Sequence, residues 1–351
     1  MNRRRCLTGV HLKGRVVLID ELPEGIDNTN AFFWKPNGTP YTYTTEIKNY
    51  TNESEQINIP IDSQGNFDYY YDKYVYNLTA AFANNTNIKE LYFDKVCNLN
   101  NVTCFDLLFY NCTNLKVLDF TSFNKCKFIN VAAMFYNNSN LETIDLTNFD
   151  FSSANYEGLG YKNQIFLGCK KLNYLNCGNL FDNGIGNIKY FFRSCGTESE
   201  NGIIVDNFFN KKVFKTTGCS FQQAFESFNT EIIDFRNADF SMPTDDTNLY
   251  LLNAFSPTIC KEIHFPDTEF RISNFNTTVG NTSKRGNLEY LNLGKAVFNN
   301  ASLDYCFMNL PNLNKIRCTQ TTKDYILSKS ISQLPSKFTT DDSLWEIVEL
   351  T

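Results

Sequence analysis

A short motif recurs along this chain, and it constrains the fold more than any other feature. FYNCTNLKVLDF begins at Phe109 and FYNNSNLETIDL at Phe135, with further copies at Phe82, Phe166 and Phe307. Every copy keeps apolar residues six and nine positions after its first Phe, here called the anchor, and an apolar residue or Cys eleven positions after it. A fixed period of this kind is typical of a repeat architecture.

Weaker copies fill the interval between Phe166 and Phe307. They begin at Phe192, Phe225 and Phe255, and one more around Leu288 has lost its Phe. Successive anchors from Phe82 to Phe255 are 26 to 33 residues apart. The sequence therefore predicts about nine worn repeats.

Each repeat predicts one strand and one short helix. In NLKVLDF the apolar Leu118 and Phe120 are two positions apart, so both face one side of a strand. Upstream, Phe105, Leu108 and Phe109 follow the three-and-four spacing of an apolar helical stripe, and residues 131–135 repeat it. Because one coil cannot bury both faces alone, we expect the coils to stack and to cover one another.

These residues resemble the BspA-like leucine-rich repeats of bacteria. The match is carried by FYNCTNLKVLDFTSFNKCKFINVAAMFYNNSNLETIDLTNFDFSS, residues 109–153, and extends more loosely over residues 78–318. The resemblance implies an α/β solenoid, a right-handed leucine-rich-repeat coil of about nine units. It also implies a cell-surface or secreted protein that binds host macromolecules or other cells, and it brings no catalytic residues.

Three regions follow from the pattern. Residues 1–76 alternate short β-rich runs with turn signals such as Asn37-Gly38, which predicts a small β-rich module. That module is either an attachment domain or a cap over the first coil. Residues 77–318 form the solenoid, and residues 319–351 form a C-terminal cap, with a helix that Pro335 ends and a final strand at Trp345.

Charge and hydropathy exclude two classes of partner. The 351 residues carry a formal net charge of −6, and their basic cluster is confined to Arg3, Arg4 and Arg5. A nucleic-acid-binding protein needs a basic face to neutralise phosphates, so we expect no nucleic acid partner. The sequence has no run of 18 apolar residues, so we expect no membrane span.

The first residues, MNRRRCLTGVHLKGRVVLID, contain no apolar stretch of the length that an export signal needs. Either the sequence has lost its signal or the protein leaves the cell by another route. MNRRR resembles the start of structural proteins from crAss-like tailed phages, and residues 321–350 resemble endings of repeat proteins from the same setting. The leading hypothesis is a virion appendage, a tail or head decoration that contacts the bacterial surface or a partner subunit. The alternative is a bacterial adhesin, on the cell surface or secreted, that binds host protein or glycan.

Two rows of side chains along the strands form the predicted binding face. The first row takes the residue just before the last apolar position of each strand: Tyr92, Asp119, Asp145, Asn176, Asp234, His264, Asn292 and Arg317. The second row lies two positions earlier and includes Tyr174, Glu262 and Tyr290. Asp119 and Asp145 are expected on adjacent strands, either as solvated carboxylates or as oxygen ligands for calcium, and solvated carboxylates are the simpler interpretation.

Catalysis is not predicted. The chain has two histidines, His11 and His264, and lacks GxGxxG, GxxxxGK[ST] and HExxH motifs, so no cofactor is expected. Stretched spacings at 155–163, 197–201, 242–248 and 274–286 predict loops. These loops are either recognition elements or tolerated surface variation.

The cysteines follow the repeat. Cys112, Cys169 and Cys195 lie three positions after an anchor, which predicts small buried side chains, and the absence of a CxxC pair excludes the usual zinc site. Thiols made in a reducing cytosol normally stay reduced, and the alternative is a bridge from Cys97 to Cys104 or Cys6 after release into an oxidising medium.

Overall fold

The computed structural model describes residues 15–18, 31–34, 56–59, 82–86, 89–93, 105–118, 126–127, 131–152, 164–182, 188–209, 218–241, 248–257, 259–329 and 334–349. The chain packs as two compact units, the first made of residues 1–155 and 169–179 and the second of residues 156–168 and 180–351. Within the described residues, paired strands define about six turns of a parallel β-solenoid with little helix, against about nine repeats predicted.

The first unit is built from short parallel strands. They are β1 (Arg15–Leu18), β2 (Ala31–Trp34), β3 (Gln56–Ile59), β4 (Glu90–Phe93), β5 (Val117–Leu118), β6 (Cys126–Lys127), β7 (Thr143–Asp145), β8 (Phe149–Asp150) and β9 (Tyr174–Asn176). One ladder has the order β2-β1-β3-β4-β5, while β7 pairs with β9 and β6 with β8. Three strands from residues 1–76 therefore run parallel to β4, the strand of the first repeat.

The second unit contains two parallel ladders. Its elements are β10 (Ile204–Asp206), β11 (Gly218–Ser220), β12 (Ile232–Asp234), β13 (Asn248–Tyr250), β14 (Glu262–His264), β15 (Glu269–Asn274), β16 (Tyr290–Ser302), β17 (Lys315–Thr319), α1 (Gln320–Ser328), α2 (Lys337–Thr340), a 3-10 helix (Asp342–Leu344) and β18 (Trp345–Val348). Ladder A has the order β12-β14-β16-β17-β18, and ladder B has the order β11-β13-β15-β16.

Strand β16 belongs to both ladders because the chain turns a corner at Gly294. Its first part pairs with β14 and β17, and its second part pairs with β15. Gly294 has φ +53°, and a Cβ atom there would lie 2.1 Å from the carbonyl oxygen of Pro266. Only glycine fits this corner.

The C-terminal helix and strand end the second unit as predicted. Thr319 caps α1 by accepting a hydrogen bond from the backbone N–H of Thr322 at 3.1 Å, and the Tyr325 hydroxyl donates to the carbonyl of Ala301 in β16 at 2.9 Å. Helix α1 ends at Ser328, well before Pro335, so the predicted end of the helix was wrong. Strand β18 pairs with β17 and closes ladder A.

The segments predicted as short helices are tight turns. The backbone N–H of Phe109 donates to Met134 O at 3.0 Å and that of Asn111 donates to Tyr136 O at 2.7 Å. An α-helix would direct these groups to carbonyls four residues earlier in the same segment. Here they join one coil to the next, so the three-and-four apolar spacing describes a turn that packs inward.

Positive φ angles explain why no helix forms. They recur two residues before and two residues after an anchor, at Asn84, Leu107, Asn111, Ala133, Asn137, Tyr190, Ser194, Gln223, Ser227, Tyr305 and Asn309. Residues other than glycine rarely adopt this conformation, and Asn tolerates it best. The left-handed positions break the helical path and turn alternate N–H groups toward the neighbouring coil, which also accounts for Asn two positions after several anchors.

The anchor rings form stacks inside each unit. In the first unit the rings of Phe82, Phe109 and Phe135 lie 5.4 and 5.8 Å apart, nearly parallel. In the second unit the stack consists of Phe166, Phe192, Phe225 and Phe255, with centroids 5.3 to 5.5 Å apart. All seven rings are buried. Leu118, Leu141 and Leu146 are also buried, which confirms that the coils cover one another's apolar faces.

The repeat that has lost its Phe carries Val279 in the anchor position. Phe255 N donates to Thr278 O at 2.9 Å, just as Phe225 N donates to Ala254 O at 2.8 Å. Val279 is therefore the residue in register with Phe255. Residues 274–286, predicted as an inserted loop, contain this turn and are part of the coil.

Small side chains tie adjacent coils together around the anchors. Three positions after an anchor, Cys112 Sγ donates to Phe82 O at 2.9 Å, and Cys195 Sγ donates to Phe166 O at 2.7 Å. Asn111 Nδ2 donates to Asn84 Oδ1 at 3.0 Å, and Asn137 Nδ2 donates to Asn111 Oδ1 at 2.7 Å, which makes a ladder of side-chain amides.

The position of Asn138 generates a stability prediction. Asn138 stands three residues after its anchor, where three other repeats carry Cys, and it is fully buried with neither side-chain polar atom bonded to a described residue. Because an unsatisfied buried amide is costly, we expect Asn138→Cys to raise the free energy of unfolding by about 1–2 kcal/mol in urea denaturation. The reverse change at the matched position, Cys112→Asn, should lower it. A loss of stability in Asn138→Cys would contradict this packing.

The described cysteines should be chemically inert in the folded protein. Eight are buried: Cys112, Cys169, Cys177, Cys195, Cys219, Cys260, Cys306 and Cys318. Burial raises the pKa of Cys112 and that of Cys318 to about 12, so little thiolate forms at neutral pH. We expect iodoacetamide to label these eight only after unfolding in urea, as measured by peptide mass spectrometry. Rapid labelling of Cys112 in the native chain would be the opposite result. Cys6, Cys97 and Cys104, the cysteines of the alternative disulfide, lie outside the described residues.

Candidate functional site

Ladder A of the second unit brings the predicted first row into one line. Asp234, His264, Asn292 and Arg317 are direct register partners on successive strands, and Glu346 of β18 extends the row beyond the predicted residues. The second row is also in register, with Glu262 opposite Tyr290. Parallel strands lie about 4.8 Å apart, so the first row is about 19 Å long.

The first unit carries the remaining predicted residues. Asp145 is the register partner of Asn176, and Tyr174 is the partner of Thr143. Tyr92 lies in β4 opposite Asn58, and its side chain lies outside the described residues. Asp119 also lies outside them.

Most Asp and Asn residues in the first row hold the turn that follows their own strand. The backbone N–H two residues later donates to the side-chain oxygen of Asp145 at 3.0 Å, of Asn176 at 3.1 Å, of Asp234 at 2.9 Å and of Asn292 at 2.8 Å. Asp and Asn are favoured where a side chain must imitate a turn in this way. Their recurrence therefore has a structural cause, and His264 and Arg317 are the row members that depart from it.

The burial of the row differs from the expectation of an exposed face. His264 is 7% exposed and Asn292 is 4% exposed, so both are buried. Asp234 and Arg317 are half-buried. Asn292 is held against the backbone, since it donates from Nδ2 to Phe265 O at 3.3 Å and accepts from Gly294 N at 2.8 Å, and it lines a groove together with His264 and Arg317.

This groove has a volume of about 560 Å³. Its lining is polar with one tyrosine: Arg236, Glu262, His264, Asp267, Glu289, Tyr290, Asn292, Asn314 and Arg317. The size falls in the range of ligand-binding clefts, although most such clefts are more apolar. Arg236, Asp267, Glu289 and Asn314 were missed by sequence reasoning because they lie outside the two predicted rows.

Both arginines of the groove are bound by carboxylates. Arg236 holds Asp234 through Nε at 3.0 Å and Nη2 at 2.6 Å. Arg317 contacts both oxygens of Asp267, with Nη2 to Oδ2 at 2.9 Å, and its Nε lies 3.3 Å from Glu346. Paired contacts of this kind fix the guanidinium plane.

These pairs shift the ionisation of the carboxylates. Hydrogen bonding from Arg317 holds the pKa of Asp267 below its usual value. Partial burial acts to raise the pKa of Asp234, but hydrogen bonds from Arg236 outweigh it and the pKa is lowered. Both groups are therefore ionised at neutral pH.

His264, Glu262 and Tyr290 form a second cluster in the groove. His264 Nε2 lies 2.7 Å from Glu262 Oε2, and the rings of His264 and Tyr290 are 5.2 Å apart. Burial, then the charge of Glu346, raises the pKa of Tyr290, so its hydroxyl keeps its proton. The cluster offers hydrogen-bond donors and acceptors beside an aromatic ring.

The described part of the chain has no group of three or more His, Cys, Asp or Glu side chains placed to hold a metal ion. Nor does any helix in that part have the length and apolar character that a bilayer crossing requires. No protein-family model matches this sequence, and no curated protein is significantly similar to it.

The Arg317 pair generates a prediction about acid stability. A carboxylate whose pKa is lowered by folding stabilises the protein above its unfolded pKa of about 3.9, and this contribution is lost as the pH falls through the folded pKa. Because Asp267 is exposed, we expect Asp267→Asn to lower the free energy of unfolding by not more than about 1 kcal/mol at about pH 6. The difference from the unmodified protein should shrink between about pH 4 and pH 2, as measured by urea denaturation. If the difference in the free energy of unfolding grows as the pH falls, the prediction is wrong, because a lowered pKa of Asp267 requires it to shrink.

Proposed function

We propose that this chain is a non-catalytic binding module that recognises its partner through the groove of ladder A. The observation that carries the proposal is the break in the turn-forming pattern at His264 and Arg317. At these two positions the side chain does not hold the turn after its strand. It lines the groove and is oriented by a carboxylate, Glu262 for His264 and Asp267 for Arg317. Rigid, repeated strands suit recognition because they hold side chains at fixed spacing.

The setting of this module is part of the same proposal. We place it among the BspA-like leucine-rich repeats, as a right-handed coil of about nine units, on the resemblance of residues 109–153. The leading setting is a phage virion, where the chain would be a tail or head appendage touching the bacterial surface or a partner subunit. The alternative is a bacterial surface or secreted adhesin that binds host protein or glycan. Proteomic analysis of purified particles and of cell-surface fractions from the source separates the two.

A groove-blocking variant tests the binding site in the leading setting, in which the partner lies on the bacterial surface. Asn314 lies exposed in the lining, so Asn314→Trp fills space without removing a core contact. We expect fluorescently labelled protein to bind intact bacterial cells in flow cytometry. Asn314→Trp should weaken that binding by about tenfold or more, because a bulky side chain in the lining excludes the partner from the groove.

The matched control is Glu200→Trp, which adds the same side chain at an exposed position of the second unit outside the groove. Circular dichroism and urea denaturation check that both variants fold. Equal binding by Asn314→Trp and the unmodified protein would refute the groove as the binding site.

A further inference from the structure

We propose that the groove of ladder A binds a neutral oligosaccharide, an inference that rests on the proposed binding function and names its ligand. Three properties of the described residues carry it: internal pairing of charges, a half-buried tyrosine among amides, and regular spacing along the ladder.

Both arginines of the groove are already paired with carboxylates. Arg236 is neutralised by Asp234, and Arg317 by Asp267 and Glu346. Lys261, beside the groove, donates from Nζ to Glu231 Oε1 at 3.0 Å, and this hydrogen bond, followed by the charges of Glu231 and Glu289, raises the pKa of Lys261. Lys315 donates from Nζ to Ser343 O at 2.8 Å. An anionic ligand would have to compete with these contacts for the arginines and lysines.

A neutral ligand rich in hydroxyl groups does not have to displace the carboxylates from the arginines. A carboxylate that accepts two hydrogen bonds from an arginine still has lone pairs to offer, and the guanidinium has five N–H groups in all. A hydroxyl group donates and accepts at once, so it can bridge a carboxylate and an adjacent guanidinium without separating them. Pairs of neighbouring hydroxyls on a sugar ring fit the Asp267–Arg317 and Asp234–Arg236 pairs.

Tyr290 supplies the apolar contact that a sugar ring needs. Its side chain is half-buried against His264, and it lies beside Asn292 on the same strand. An aromatic ring combines apolar contact area with a polar end and loses little conformational entropy on binding. The C–H face of a pyranose can pack on such a ring while Asn314 and Glu289 remain available at the rim.

The spacing of the ladder suits a chain of repeated sugar units. One polar side chain of the first row appears at each strand from Asp234 to Glu346, about every 4.8 Å. A linear oligosaccharide presents its hydroxyls with a comparable repeat. The ligand class is therefore an extended neutral oligosaccharide of several units, lying across the strands.

Binding of the full chain to immobilised oligosaccharides tests this inference. The probes are neutral oligosaccharides of three or more units, anionic oligosaccharides, and polylysine as a cationic control. We expect retention of at least one neutral oligosaccharide, with a Kd that changes by less than about twofold between about 50 and 500 mM salt, because screening acts on charged ligands. Tyr290→Ala should weaken this binding by about tenfold.

Tyr250→Ala is the matched control, since Tyr250 is a half-buried tyrosine on ladder B of the same unit, and it should bind as the unmodified protein does. Retention of no neutral oligosaccharide, or of charged probes alone, overturns the inference. If cell binding is blocked by Asn314→Trp but survives periodate and is lost on protease treatment, the groove is a protein-binding site: the proposed function stands and the oligosaccharide inference fails. If Asn314→Trp leaves cell binding intact, the proposed function itself fails.

Discussion

The contact between one coil and the next holds each unit together. The anchor ring stacks on that of the next coil, and the backbone N–H of the same residue bonds to a carbonyl of that coil, at Phe82, Phe109, Phe166, Phe192 and Phe225. Burial of a Phe side chain is worth about 1.5–3 kcal/mol, and the hydrogen bond aligns the coils that provide this burial. A coil on its own would have neither interaction, so the repeats stabilise one another and the strands are held in register.

This arrangement leaves one side of ladder A free to vary. Side chains alternate along a strand, so Ile263 faces the core while its neighbours Glu262 and His264 face the groove. The groove-facing row is constrained where a side chain must hold the next turn, as Asp234 and Asn292 do. His264 and Arg317 do not hold a turn, and they contact Glu262 and Asp267 in the lining of the groove. Recognition can thus change at these positions without disturbing the stack.

The repeat and the register of the strands in ladder A could be predicted from the sequence, because the spacing of apolar residues determines both. It was wrong about the short helices: the three-and-four spacing at Phe105, Leu108 and Phe109 fits a helix and an inward-packed turn equally well. The signal that separates them is the residue two positions after the anchor, where Asn111 marks a left-handed backbone.

The groove was harder to predict than the rows. The strand register places His264 beside Asn292 and Arg317, but apolar spacing does not indicate that His264 and Asn292 are buried. Asp267 reaches Arg317 from the corner beside Gly294, fifty positions away in sequence. Long-range ion pairs of this kind follow from the folded path and have no local pattern.

Hydrogen-bond couplings measured by NMR on deuterated protein test the stacking of coils most directly. Phe225 and Ala254 lie on neighbouring coils, and the backbone N–H of Phe225 donates to the carbonyl of Ala254. We therefore expect a coupling between the amide nitrogen of Phe225 and the carbonyl carbon of Ala254. A coupling from Phe225 to the carbonyl of Phe221, as an α-helix would give, would contradict the arrangement on which the groove depends.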